Sequence, residues 1–413
     1  MPNQATGSLR QFLMGNRNWL AAGALLTLLS SFGQTFFISV FAAQVQADFD
    51  LTHGAWGAMY ALGTSASAVV MLWAGGLTDR FRARSLGMLV LALLSAACLL
   101  MALNPYAAFL PIVIFALRLT GQGMTSHIAI VAMARWFVAT RGRALSVATL
   151  GFSFGEAVLP MIFVALMTLF DWRLLWVLAG AIALLGIPVL GRLLREERTP
   201  QSMATENQSV GMDGRHWTRS QSLVHPLFWF MVPALLGLSA FGTAFFFQQA
   251  HYAAVNGWTH LSLVALFPIY TGVGIAAMVV SGFALDRFGT ARLIPFYQLP
   301  LVVGFACFAM AEQLAMVAVG LVFFAITTGA NSTLPNAFWA EFYGTRHIGS
   351  IKAMAAAVMV LGSAIGPLIT GILIDWNVPL ARQYVWVAGY FALTSAAMWI
   401  GITRARAHLA IAS

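Results

Sequence analysis

Apolar runs long enough to cross roughly 30 Å of hydrocarbon at 1.5 Å per residue recur twelve times along this chain. They lie at about 19–43, 54–77, 85–103, 106–136, 145–169, 173–194, 225–252, 258–285, 291–311, 313–340, 348–375 and 381–404. No soluble fold buries so much apolar sequence: 60% of the residues are hydrophobic and only 8% are charged, too few to cover a water-facing surface. Backbone groups in lipid must be satisfied within the segment, so these runs are expected to be helices. The first apolar run, after a polar start to Asn18, is too long for a signal-peptide core and is expected to remain as a span.

The net charge of +9 sorts by loop. With the N-terminus in the cytoplasm, arginines cluster in the inside loops. Arg173 and Arg382 fall outside, and Arg118 lies within a span. This positive-inside asymmetry places both termini in the cytoplasm and removes any need for a nucleic-acid partner. Cys98 and Cys307 both sit in apolar segments, so no disulfide framework is implied. Nucleotide loops, metal-spaced His/Cys sets and nucleophile elbows are not found in the sequence, so neither an enzyme, a metal site nor a cofactor is expected.

The chain repeats itself at half its length. Gly75-Gly76-Leu77-Thr78-Asp79-Arg80-Phe81 returns as Gly282-Phe283-Ala284-Leu285-Asp286-Arg287-Phe288, an offset of 207. Ala134-Arg135-Trp136-Phe137 and Ala340-Glu341-Phe342-Tyr343 end the fourth and tenth spans, and Gly123 pairs with Gly329. A repeat of this period with basic turns indicates two duplicated membrane halves. The expected organisation is a cytoplasmic N-terminus (1–18), a six-helix bundle (19–194), a polar linker (195–224), a second six-helix bundle (225–404) and a cytoplasmic C-terminus (405–413).

These motifs, in order and at the right spans, resemble the major facilitator superfamily. The Asp79-Arg80 and Asp286-Arg287 turns resemble its loops after the second and eighth helices. Arg118-x-x-Gly121-x-Gly123 resembles its fourth-helix motif. Gly151-x-x-x-Gly155-x-x-x-x-Pro160 resembles its fifth-helix motif, echoed by Gly362-x-x-x-Gly366-Pro367, and Asp171-Trp172-Arg173 fits its turn into helix six. The first loop departs from the pattern, with Arg82 where the family usually has glycine, whereas the second keeps Gly289. The resemblance implies an all-α membrane protein of twelve transmembrane helices in two pseudo-symmetric six-helix bundles. It further implies transport by alternating access around a central cavity, in a monomer, without a cofactor.

Depth selects the candidate residues. Arg118 and Glu156 each lie about eleven residues into their spans, near mid-membrane, where an uncompensated charge costs ~2.5–3.5 kcal/mol on insertion scales. Arg118 is a candidate anion-binding group and Glu156 a candidate proton-coupling group; a structural pair bracing the first bundle is the alternative. Helical spacing sets Gln122 (i+4) and Thr125 (i+7) on the Arg118 face, with His127 (i+9) nearly opposite. Gln34, Tyr60, Gln248 and Asn331 are the further substrate-contact candidates, on spans that carry polar stripes. Phe36, Phe37 and Phe245-Phe246-Phe247 read as packing or gate residues. By resemblance, Asp79, Arg80, Arg84, Asp286, Arg287 and Arg292 form a conformational latch at the cytoplasmic turns.

Within the superfamily the chain looks most like the bacterial monocarboxylate and oxalate–formate branch. The residues that carry this are Gly151-Phe152-Ser153-Phe154-Gly155 with Pro160, and Gln249-Ala250-His251-Tyr252 with Gly257-Trp258. Two departures stand out: span 258–285 holds no arginine, and the single lysine, Lys352, sits at the entrance of the eleventh span. The expected function is proton-coupled transport of a small organic anion such as a monocarboxylate across a plasma membrane, a bacterial inner membrane. Proton-antiport efflux of an amphipathic compound is the alternative, and a non-transporting receptor or scaffold a third reading.

Overall fold

A computed structural model describes residues 9–137, 140–196, 210–344 and 346–409, and among them every regular element is helical. Part of the expected linker and both extreme termini lie outside the described residues. All twelve apolar runs are helical, but two depart from a plain span. Ten helices are long and apolar enough to cross a membrane unaided. The first run is a pair, Arg17–Gly33 and Thr35–Phe49, bent by 47°. The ninth is short: turns occupy 294–298, leaving only Leu299–Ala309 as its main helix. The seventh span, expected to reach 252, ends at Phe247, and His251 and Tyr252 belong to a separate helix, Gln249–Val255.

The chain divides into two compact units, Met1–Leu51 with Ala58–Glu206, and Thr52–Gly57 with Asn207–Ser413. Each unit repeats the same packing scheme. In the first, the first span packs on the fifth and the third on the sixth; in the second, the seventh packs on the eleventh and the ninth on the twelfth. Matching glycines permit the first of these contacts in each unit. Gly151 sits against the Ala24 carbonyl and Gly155 against Ser31, while Gly362 and Gly366 sit against the carbonyls of Leu236 and Ala240. A side chain at any of the four would strike the facing helix, so small residues here set the interhelical distance.

Aromatic residues fill both cores. In the first unit Phe37 is fully buried, with ring centroids 4.8 Å from Phe163 and 5.3 Å from Trp176. In the second, Phe245 stacks on Phe308 at 4.3 Å, and Phe305 stacks on Phe391 at 5.8 Å. Phe36, Phe37 and Phe245–Phe247 are all buried, and their ring contacts are those of packing residues.

The far end of the expected linker is structured. Thr218 and Gln221 form a reciprocal capping box that starts the helix Arg219–Val224. Met212 and Trp217 are buried in the core of the second unit, against residues such as Phe338 and Tyr343. Two apolar side chains within a polar stretch are the sequence signal for this docking.

The two repeated turns differ as the Arg82 departure implies. Gly289 takes φ +74°, a left-handed conformation that suits glycine. In the first copy Phe81 and Arg82 are both extended, at φ −117° and −66°, so that turn opens without needing a glycine.

Candidate functional site

The first span breaks at Gly33–Gln34, and the break lies against the fourth span. A four-residue 3-10 turn, Ser30–Gly33, ends there, and Gln34 is extended before the helix resumes at Thr35. Opposite it, residues Arg118–Thr125 of the fourth span form a π-helix. Gly33 and Gly121 meet backbone to backbone: a Cβ on Gly121 would lie 2.6 Å from the Gly33 Cα. The break and the widened turn thus occupy the same contact, where neither chain carries a side chain.

Arg118 reaches into this junction. It is only 3% exposed, and its NH1 donates to the Gly33 carbonyl at 3.3 Å and to the Thr35 hydroxyl at 3.2 Å. The buried Tyr60 ring lies 5.5 Å from the guanidinium carbon, and the Tyr60 hydroxyl hydrogen-bonds Thr35. The Nε of Arg118 is buried and meets no hydrogen-bond partner among the described residues. The cation is therefore held by neutral acceptors and a ring, with donor capacity to spare.

Glu156 follows Gly155 on the fifth span and is half-buried. Among the described residues it makes no ion pair with Arg118. The bracing pair held open as an alternative is thus not formed. Gln122 is half-buried on the π-helix, with no bond to Arg118 among the described residues. The expected stripe fails at Thr125. With i→i+5 bonding a turn takes more than four residues, so position i+7 no longer returns to the Arg118 face. The Thr125 hydroxyl instead donates to the Thr120 carbonyl at 2.7 Å. Gln34 is half-buried at the break itself. Of the candidates on the first unit, Tyr60 and Arg118 are brought together, and Thr35 and Gly33 join them without having been singled out.

In the second unit Gln248 is buried, and its Nε2 has no partner among the described residues. Asn331 accepts from the Tyr297 hydroxyl at 3.4 Å. That contact belongs to a network the sequence reading missed. Gln298, fully buried, donates to the Ala234 carbonyl at 2.9 Å and to Tyr297 at 3.0 Å. It also accepts from Thr394 at 3.3 Å, and Thr327 donates to the Tyr297 carbonyl at 3.0 Å. These bonds surround the turns at 294–298 that interrupt the ninth span, where non-helical backbone must find partners inside the protein.

Residues 52–57 group with the second unit through Asp375. Its carboxylate accepts from the backbone N–H of His53 at 3.0 Å and of Gly54 at 2.8 Å, the first turn of the helix that begins there. The His53 and His251 rings lie 4.3 Å apart.

The repeated turns are each tied to the end of the fourth or tenth span. Arg135 donates to the Thr78 carbonyl at 2.7 Å, and the Thr290 hydroxyl donates to Glu341 at 2.5 Å. Arg135 and Glu341 are repeat equivalents, so the two halves make one tie with opposite charges. Arg80, Asp286, Arg287 and Arg292 are exposed and Arg84 is half-buried; the side chain of Asp79 lies outside the described structure.

A family model described as Major Facilitator Superfamily matches residues 23–351 and 275–412. The chain belongs to that superfamily. It is therefore a multi-pass membrane protein. Monocarboxylate transporter 13 of Rattus norvegicus is 25% identical over 287 residues, covering 68% of this chain and 64% of the relative. A triacylglyceride transporter of Mycobacteroides abscessus is 32% identical over 128 residues, covering 28% of this chain and 25% of that one. The chain thus spans less than two thirds of the length of these relatives. Among solved structures, an inward-facing, occupied bacterial homolog of the human lysosomal transporter Spinster superposes with a TM-score of 0.74 at 15% identity, covering 99% of this chain and 100% of that one. The nucleoside transporter NupG gives 0.72 at 13%, covering 93% and 99%. At such identities these likenesses concern the fold alone.

Proposed function

We propose that this transporter moves a small organic anion of the monocarboxylate class, coupled to protons. The observation that carries the reading is the buried Arg118 guanidinium, held by the Gly33 carbonyl, the Thr35 hydroxyl and the Tyr60 ring, with no carboxylate bound to it among the described residues. A charge at membrane depth costs several kcal/mol without a counter-charge, and a substrate carboxylate supplies one with the planar geometry a guanidinium fits. The similarity to the rat monocarboxylate transporter supports the same substrate class.

In this reading Arg118 takes the carboxylate. Gln34, Tyr60 and Gln122 of the first unit and Gln248 and Asn331 of the second are the further substrate-contact candidates, and Glu156 carries the coupled proton. Asp79, Arg80, Arg84, Asp286, Arg287 and Arg292 act at the turns that open and close. The protein works as a monomer in a bacterial inner membrane, both termini cytoplasmic. The test is a thermal-shift screen of the purified chain against short monocarboxylates at two pH values, since a ligand stabilises the state it binds. A bound acid should raise the melting temperature of the native chain and not of Arg118→Ala. Stabilisation that survives Arg118→Ala unchanged overturns the anion site. Proton-driven uptake that is unchanged in Glu156→Gln removes the coupling role.

A further inference from the structure

Arginines gather at the end of the first unit that carries the repeated turn. A cavity of about 640 Å³ opens there, lined by Arg80, Arg82, Arg84, Arg135 and Arg195. These arginines come from three separate stretches of chain: the turn after the second span, the end of the fourth and the end of the sixth. None of the described lining residues is acidic; Asp79 belongs to the same turn, and Glu196 and Glu197 follow Arg195 in the chain.

Topology alone asks only for arginines in the loops; it does not gather them round one cavity. So many guanidinium groups in one concave space repel one another and favour an anion, and the planar fork of arginine matches phosphate oxygens. The same lining also carries apolar side chains, Phe81, Met88, Ile128, Val131 and Leu194 among them, and Phe81 is 56% exposed. Along the third span the surface beyond Met88 continues with the exposed Leu89 and Leu93. A soluble anion would use the arginines and leave these apolar side chains wet.

The geometry points to a binding site for an anionic phospholipid. Its phosphate is held by Arg80, Arg82, Arg84 and Arg195, and its acyl chain lies along Phe81 and Met88. Arg135, which donates to the Thr78 carbonyl, fixes the turn against the fourth span. Basic pockets between membrane helices hold lipid headgroups by this combination of charge and apolar side chains. The site is separate from the Arg118 junction and does not depend on the substrate assigned there.

The test uses the full chain purified in a neutral detergent, with melting followed as lipid is titrated. Phosphatidylglycerol should stabilise it at concentrations at least roughly tenfold below phosphatidylcholine with the same acyl chains, and salt should narrow that gap. Arg82→Gln and Arg195→Gln should each weaken the phosphatidylglycerol effect roughly fivefold, about what one basic residue contributes at an anionic surface. Arg195→Lys should retain most of it. Native melting of each variant in phosphatidylcholine separates a lost site from a folding defect. Equal effects of the two lipids, or a phosphatidylglycerol effect unchanged in both glutamine variants, overturn the proposal. Glycerol 3-phosphate or inorganic phosphate reproducing the full shift would make the ligand a free anion and overturn the lipid assignment.

Discussion

Replacing Gly121 by alanine tests the junction on which the reading of Arg118 depends. The new Cβ would stand 2.6 Å from the Gly33 Cα and 2.7 Å from the Gly33 nitrogen, against ordinary contacts of 3.4 Å or more. Both obstacles are backbone, so no side chain can swing aside, and the first and fourth spans must separate by about 0.8 Å. Overpacking of this kind costs ~1–3 kcal/mol, and at about 2–4 °C per kcal/mol for a unit of this size the melting temperature should fall by roughly 3–10 °C. The same displacement carries the Gly33 carbonyl away from Arg118 NH1, which now donates to it at 3.3 Å. A gap near 4 Å is no longer a hydrogen bond. Binding of the organic anion should therefore change along with stability. Gly142→Ala is the control, because nothing lies within 4 Å of a Cβ built there. Differential scanning fluorimetry in detergent reads both variants. A Gly121→Ala protein that melts within a degree of the native chain would refute the close contact and the positioning of Arg118 that rests on it.

Other outcomes follow from contacts already described. Burial and the neighbouring His53 ring push the His251 imidazole down to about 4 from 6.5. The unfolded chain then binds a proton between those values that the folded chain refuses, so stability present above pH 6.5 is lost as the pH falls towards 4. Because the ring is half-exposed, the loss should be ~1 kcal/mol or less, and His251→Gln should flatten the melting profile in that window. Asp375→Ala removes both acceptors from the N–H groups of His53 and Gly54 and should cost ~1 kcal/mol, read by denaturant or thermal melting. Thr290→Val removes the hydroxyl from which Glu341 accepts; because Glu341 is exposed and water can take its place, stability should fall by only ~0.5–1.5 kcal/mol, and Glu341→Gln, which can still accept, should lower it less.

The sequence made the twelve segments legible because hydropathy acts through length and composition alone. It did not show the bend in the first span, which rests on the Gly33–Gly121 contact between segments far apart in the chain. Nor did it show the turns at 294–298, whose backbone is provided for by Gln298, a residue that reads as one polar interruption in an apolar run. Tyr60 and Arg118 were each legible as candidates because buried polar groups at membrane depth have few alternatives, but their contact with one another was not. Thr35 was missed although its neighbour Gln34 was chosen: the break between them decides which side chain turns towards the guanidinium. Thr125 was misplaced for a related reason, since a face inferred from 3.6 residues per turn does not survive a π-helix.

The contacts of Arg118 also have an order in time. Gly33, Thr35 and Tyr60 all precede it in the chain. A ribosome feeding this protein into a bilayer therefore delivers the carbonyl, the hydroxyl and the ring before it delivers the cation. The fourth span need not wait in lipid for a later helix to receive its guanidinium, because the acceptors belong to two spans already made. During synthesis, this charge at membrane depth arrives after the groups that hold it.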